Sequence, residues 1–350
     1  MSNTVNRSRR EFVQKSAVTL GAPALGSMLF TRPALAADEM KSVIYFTPTY
    51  IGIIRAARGF AEQFNTAIGG SKNLKLYDSG RLLTADQQLP GLRAGNIDLM
   101  FHATSYVTRS LPILGILGLP GIVGELYQHP ERLRIGSPLF NLINKSLAKD
   151  NLYMLSCGGG VLEPEYIWGN KETPIRSLSD LRGKKMRIAS FEATELLEGY
   201  GVTSVRITSA ETYVALQRGT VDAATANVAT VAGRSLNEQL GFCYKMPTTA
   251  YDVAPFVLKS TWDKFNDKTK DALQTAAQWY DQNTVEYCNH TVYPDTFWPK
   301  VLNSGVQVIE PDKADIEDFN ASAQKVWGPW KKSVGEEIGA HAIDLALGKA

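Results

Sequence analysis

From residue 41 onward, short β-type runs alternate with amphipathic helical runs, and this alternation leaves few architectures open. Residues 41–46 read as a strand, and 51–68 as a helix with Ile54, Ala57, Phe60, Ala61 and Phe64 on one face. A second strand spans 74–77. Thr84, Ala85, Asp86 and Gln87 have capping-box spacing and open a helix that should end near Gly95, and 97–101 forms the next strand. Strands and helices in this order predict an α/β fold with a mostly parallel sheet and helices on its faces. Ligands of such sheets gather at the carboxyl ends of the strands.

The second half repeats the pattern. Residues 130–149 read as a helix and 152–157 as a strand, followed by Gly158, Gly159 and Gly160, which suit a place where the chain approaches another element closely. This is not phosphate-loop spacing, and no helix follows. A short helical turn at 177–181, a strand at 185–189, helices at 191–200 and 211–218, and a further β run from Thr220 make a second α/β lobe. Residues 267–302 then read as one helical stretch that Pro294 and Pro299 should kink or divide. Some 25 residues of it would run about 40 Å, enough to lie across both lobes as a spine.

Two lobes also suit the length. The chain has 350 residues, more than one hydrophobic core usually serves at about 100–200 residues per domain. Its first 36 residues read as an export signal. Arg9 and Arg10 precede Phe12, a mildly apolar run covers 17–30, and Ala34-Leu35-Ala36 offers a cleavage site after Ala36. The run falls short of the roughly 20 residues of a membrane span. The paired arginines resemble a twin-arginine signal. Lys15 lies one place later than is usual in that pattern, so the general secretory route stays open. The expected location is the periplasm.

The formal charge of +2 includes +4 from residues 1–36, so 37–350 carry −2. Basic and acidic residues are interspersed, which predicts no nucleic-acid or anionic-membrane surface. Cys157, Cys243 and Cys288 are odd in number, so at least one thiol is free or pairs between chains, and they read best as buried small apolar residues.

Three segments carry a family resemblance. Leu92 to Leu99 (LRAGNIDL) is a helix-to-strand junction with a basic residue, a small residue, Gly and then Ile-Asp; Ser179 to Ile188 reads SDLRGKKMRI; Glu211 to Asp222 reads ETYVALQRGTVD. In order and spacing they resemble the periplasmic receptors of tripartite ATP-independent periplasmic (TRAP) transporters, the DctP type that includes C4-dicarboxylate and sialic-acid receptors. Ala223 stands where the family usually has Gly. The resemblance spans 41–330.

It implies a two-lobed periplasmic binding protein, hinged, with crossing strands and a long helix spanning both lobes. Lobe one would hold 37–164 plus 252–291, and lobe two 165–251 plus 292–350. No cofactor is implied. The partners implied are a small-molecule carboxylate and the small and large TRAP membrane subunits; a monomer and a homodimer both stay open.

The resemblance places Arg187 on the ligand carboxylate, a role that suits a planar, permanently charged fork. It also places an asparagine near Ala226 or Asn227, of which Asn227 has the amide that donates and accepts. Tyr50 and His102 follow strands, where ends face the cleft, and the backbone of Ser190 and Phe191 offers N–H groups at a helix start. A second arginine of sialic-acid-type receptors falls on Ile167 or Trp168, which argues against a highly hydroxylated acidic sugar. Trp168 is the candidate replacement for a family aromatic whose place falls on Ser209, while Arg206 stands where proline is common.

Glu163 and Glu165 sit near the inferred lobe crossing, where a ligand with both carboxylate and ammonium would satisfy Arg187 and one of them. A hinge or surface role is the alternative. His102, His129, His290 and His341 are far apart, and the chain has no His-x-x-x-His, Cys-x-x-Cys or Gly-x-Ser-x-Gly motif. A receptor rather than an enzyme is therefore expected, for a monocarboxylate, keto acid or aromatic acid first. A receptor for an amino acid or cationic amine, a receptor of an ATP-driven importer and a secreted small-molecule enzyme are the other readings.

Overall fold

The computed structural model describes residues 38–349. The export signal read in residues 1–36 therefore lies outside the described residues.

Two sheets organise the chain. The first contains β1 (Asp38–Ile44), β2 (Lys72–Tyr77), β3 (Leu99–His102), β4 (Leu152–Met154) and, later in sequence, β10 (Ala254–Leu258), in the order β2-β1-β3-β10-β4. β1, β2 and β3 are parallel, and β10 runs antiparallel to both its neighbours. The second sheet has β5 (Leu162–Asn170), β6 (Lys185–Arg187), β7 (Thr203–Val205), β8 (Ala223–Ala226), β9 (Leu240–Tyr251) and β11 (Gln307–Ile309), ordered β11-β9-β5-β8-β6-β7. Each sheet is thus mixed, with one parallel group and an antiparallel return.

Period-two alternation explains how the first sheet is covered on both faces. Ile44 and Phe101 pack with Phe60 and Phe64 of helix Ile51–Ile68, and Val43, Met100 and Met154 pack with Leu114, Ile116 and Ile143 on the other face. Gly59 allows helix Ile51–Ile68 to sit against helix Asp267–Tyr287, because a Cβ there would fall 2.0 Å from the Trp279 ring. The capping box forms as expected, Thr84 N–H donating to Gln87 Oε1 at 3.1 Å, and opens helix Ala85–Arg93.

The chain passes between the sheets at 155–161 and again at 252–253, and the long antiparallel pair β5–β9 carries both passages into the second sheet. The glycine run lies in the first passage. Gly159 has φ +85°, and a Cβ on it would fall 1.9 Å from the Asp281 carbonyl oxygen, so the run lets the chain slide past helix Asp267–Tyr287.

The helical stretch from 267 is divided. Helix Asp267–Tyr287 widens into a π-helical segment, Cys288–Phe297, that contains Pro294, and continues as Trp298–Asn303 with Pro299 in its first turn. Proline lacks the N–H of an i→i−4 bond, and a wider turn accommodates the loss. The stretch starts against helix Ile51–Ile68 and ends against helix Val228–Gly233, so it spans both lobes.

Three sequence expectations need correction. Residues 130–149 are a short turn, Pro130–Leu133, and a separate helix, Pro138–Leu147, because Gly136 at φ +86° and Pro138 interrupt the run. The strand expected over 152–157 stops at Met154, where Leu155 begins the passage toward the second sheet. The C-terminal segment, expected with lobe two, clasps both lobes. Helix Lys313–Val334 stacks Phe319 on Tyr200 beside the second sheet, while Trp327 and Trp330 donate to the Pro120 and Pro112 carbonyls at 2.8 and 2.9 Å. Helix Glu336–Ala346 packs on Pro138–Leu147, and Arg132 Nη1 donates to the Ala346 carbonyl at 2.6 Å.

Cys157, Cys243 and Cys288 are all free thiols and all buried.

Candidate ligand-binding site between the lobes

Arg187 ends β6 and is 1% exposed. Its Nε donates to the Ile207 carbonyl at 2.9 Å, Nη1 to the Thr225 carbonyl at 2.7 Å, and Nη2 to the Tyr106 hydroxyl at 3.0 Å. A guanidinium carries five N–H groups, so one hydrogen on each Nη is left over for a further acceptor. Among the described residues, the carboxylate within 4.0 Å of it is Glu165, whose Oε1 lies 4.0 Å from Nη1. That spacing is an ion pair without a hydrogen bond.

Tyr106 belongs to the short turn Thr104–Tyr106 after β3, in the first lobe. Its hydroxyl accepts from both Arg187 Nη2 and the Ser209 N–H at 2.8 Å, and its carbonyl accepts from Arg206 Nη2 at 2.8 Å. One first-lobe residue therefore receives three donors from the second. Tyr45 stacks on Tyr106 with ring centroids 5.6 Å apart, and Phe46 lies 4.7 Å from Tyr50 and 6.3 Å from Tyr251. Aromatic rings from the ends of β1, β3 and β9 make one wall, and the guanidinium and Glu165 stand on the other.

Several polar atoms here are buried without a hydrogen-bond partner: the Tyr50 hydroxyl, Ser209 Oγ, Thr225 Oγ1, Glu165 Oε2 and Asp252 Oδ2. Among these, the Tyr50 hydroxyl neighbours Ser209 and the Thr225 hydroxyl neighbours Glu165, so they form a cluster of polar groups at the lobe junction. Burial raises the Glu165 carboxyl, and the Arg187 charge and the neighbouring Thr225 hydroxyl partly restrain it. Burial also pushes Asp252 up to about 7, against the lowering effect of its bond from Thr104.

The sequence-derived residues fall into two groups. Arg187, Ser209 and Tyr50 converge: Tyr50 is fully buried, with its hydroxyl near those of Thr230 and Ser209 but without a hydrogen bond of good geometry. His102 stands behind this wall. It is 1% exposed, its two ring nitrogens lie 2.8 and 2.9 Å from the Ala103 and Ala85 carbonyls, and its ring packs on Tyr45 and Tyr106. Burial lowers its pKa against the raising effect of the two carbonyls, and because both nitrogens face those carbonyls, it braces the wall and leaves neither nitrogen facing the guanidinium.

The remaining candidates are engaged elsewhere. Asn227 caps helix Val228–Gly233 through Oδ1 and donates its amide to the Glu163 carbonyl. Trp168 is fully buried, donates its one N–H to the Ala226 carbonyl at 2.7 Å and stacks on Trp298. Ser190 caps helix Phe191–Glu198 and donates to Glu192 Oε2 at 3.0 Å. Phe191 is 46% exposed and lines an outer cavity of about 460 Å³ with Arg109, Glu195 and Trp330, to which Arg187 does not contribute. Glu163 accepts from Tyr166 and from Trp298 Nε1, so both its oxygens are supplied.

Sequence reasoning missed Tyr45, Phe46, Tyr106, Tyr251 and Asp252. The rule that selected Tyr50 and His102, that strand ends face the cleft, applied equally to them.

Two α/β lobes joined by crossing strands, with a buried guanidinium at their junction, define a two-lobed binding protein. Residues 49–333 match the family described as bacterial extracellular solute-binding protein, family 7, of the DctP type, and the chain belongs to that family. It is similar to the sialic acid-binding periplasmic protein SiaP of Vibrio cholerae, at 22% identity over 81% of this chain and 85% of that one. The fold is also that of a Bordetella pertussis extracytoplasmic solute receptor binding pyroglutamic acid, with a TM-score of 0.77 and 17% identity, covering 88% of this chain and 99% of that chain. A TRAP periplasmic solute binding protein from Rhodoferax ferrireducens with bound malonate is similar at a TM-score of 0.77 and 20% identity, covering 89% and 98%.

Proposed function

We propose that this protein is a periplasmic receptor that captures a small organic acid between its lobes, holds the carboxylate on Arg187, and delivers the ligand to the small and large membrane subunits of a TRAP-type transporter. The observation that carries the reading is Arg187 itself, buried at the junction with one N–H free on each Nη. The acids named for the two structural relatives, pyroglutamate and malonate, are of this class.

The mechanism follows from placement. Arg187 and Ser209 sit on the second lobe, and Tyr106, Tyr45 and Tyr50 on the first, so a ligand that touches both walls favours the closed arrangement over an open one by its differential contacts. Closing strips water from the guanidinium and so strengthens its pairing with a carboxylate.

The test is a thermal-shift screen of residues 37–350 against carboxylic acids, sugars and amines, repeated on Arg187→Ala. A ligand at about 100 times its Kd should stabilise the chain by ~2.7 kcal/mol. Stabilisation by acids that disappears in the variant supports the reading. Stabilisation by a non-acid, equal in both proteins, removes the carboxylate role. For delivery, uptake of the identified acid should stop when the membrane subunits are deleted; unchanged uptake would exclude that partner.

A further inference from the structure

Arg206 follows β7 and reaches across the lobe junction. Its side chain is exposed, and Nη2 donates to the Tyr106 carbonyl, 100 residues away in sequence, at 2.8 Å. The acceptor is a backbone oxygen, so this contact is independent of the Tyr106 hydroxyl that Arg187 and Ser209 share. A proline, common at this place in the family, has no donor with which to make it.

Two hollows meet at this side chain. The outer one, about 200 Å³, is lined from the first lobe by Asp86, Arg93, Tyr106 and Ser110 and from the second by Arg206. The inner one is a gap of about 10 Å³ with Asp86 and Tyr106 on one side and Ala189, Arg206, Ile207 and Thr208 on the other. That is room for about one water, too little for an organic acid. Tyr106 and Ile207, which border the gap, are also hydrogen-bond partners of Arg187. The gap therefore lies between the outer recess and the buried guanidinium, and Arg206 belongs to both hollows.

We propose that Arg206 is the latch of the lobe junction: its bond to the Tyr106 carbonyl forms as the lobes close, narrows the gap beside Arg187, and breaks before a bound acid leaves. Its effect on an acid rests on the receptor reading above; its effect on the lobes does not. Arg206 acts through the placement of Tyr106 and is a positioning residue. Opening separates the second-lobe donor from its first-lobe acceptor, so the bond stabilises the closed state and is absent from the open state that an acid enters. Its loss should speed dissociation and leave association alone. Electrostatic steering by the same charge predicts the reverse, a slower association. Arg93 lines the same recess and carries the same charge, so it supplies the control.

The experiment uses residues 37–350 with L-pyroglutamate and malonate, the acids named for the two structural relatives, and follows association and dissociation by stopped-flow tryptophan fluorescence. Arg206→Ala should raise the dissociation rate about ten-fold and change association by less than about two-fold. Arg206→Lys should restore most of the slow dissociation, because one ammonium N–H suffices for a single carbonyl. Arg93→Ala should slow association and leave dissociation unchanged. Without any acid, spin labels on cysteines at the exposed positions Asn73 and Arg218, one on each lobe, report closure directly, since the native thiols are buried. Arg206→Ala should shift their distances toward a more open population. An unchanged dissociation rate, a loss of affinity carried by association, no rescue by Lys, or unchanged label distances would overturn the latch. Binding by neither acid counts against the receptor reading, and the label distances then decide the latch alone.

Discussion

The Tyr106 hydroxyl, on the first lobe, accepts from Arg187 Nη2, on the second, at 3.0 Å and from the Ser209 N–H at 2.8 Å. The same group that positions the guanidinium therefore also holds the lobes together. Tyr106→Phe removes the acceptor for two donors while keeping the ring that stacks on Tyr45. The closed arrangement should lose about 1–3 kcal/mol, read as a larger radius of gyration by small-angle scattering and a lower melting temperature. An unchanged radius would mean that the other lobe contacts suffice.

Arg187→Lys keeps the charge and discards the fork. An ammonium cannot reach the Ile207 and Thr225 carbonyls and present two parallel N–H groups to a carboxylate at once. Affinity for the acid should fall by about 2–5 kcal/mol, measured by calorimetry, with Lys rescuing little of the loss seen with Ala.

Asp252 sets a pH dependence. Burial raises its carboxyl in the folded chain to about 7 from an ordinary 3.8, so the folded state holds the proton that the unfolded chain has released. Its stabilising contribution is complete below about pH 4 and is lost as pH rises to 7, on the order of 4 kcal/mol in all. Glu165 is shifted in the same direction. The melting temperature without ligand should fall between pH 5 and pH 8, and Asp252→Asn should flatten the profile; an equally steep profile in that variant would assign the effect elsewhere.

Gly159→Ala tests the passage between the sheets. The residue has φ +85°, and the added Cβ would overlap the Asp281 carbonyl oxygen at 1.9 Å. Left-handed backbone costs a non-glycine residue about 1–3 kcal/mol, and the overlap adds to it, so a loss above about 3 kcal/mol is expected in denaturant unfolding. Gly183→Ala, at φ +77° with nothing within 4 Å, should lose only the backbone part.

What was legible beforehand came from local rules. Thr84 and Gln87 declare a helix start in four residues, Gly159 declares a close approach, and Pro294 and Pro299 declare a divided helix, because each acts through its own backbone geometry. Pro130–Lys149 misled because apolar spacing alone does not register that Gly136 and Pro138 stop a helix. Trp168 and Asn227 look like ligand contacts until their partners are known. Only the second sheet shows that the Ala226 carbonyl takes the indole N–H and that helix Val228–Gly233 takes the amide oxygen.

The sequence by itself determined the two α/β lobes and the family, since these depend on short periodic patterns and contiguous motifs, and it is through the family resemblance that Arg187 is proposed for a carboxylate. The tertiary structure decided that Tyr106 joins the lobes, that Glu165 pairs with Arg187 while Glu163 is supplied by Trp298 and Tyr166, and that the C-terminal helices clasp both lobes. Arg187 and Tyr106 are 81 residues apart in sequence. Hydrogen bonding acts over about 3 Å, so which distant groups meet, and which buried atoms stay unpaired, is settled only when the crossing strands bring the lobes together.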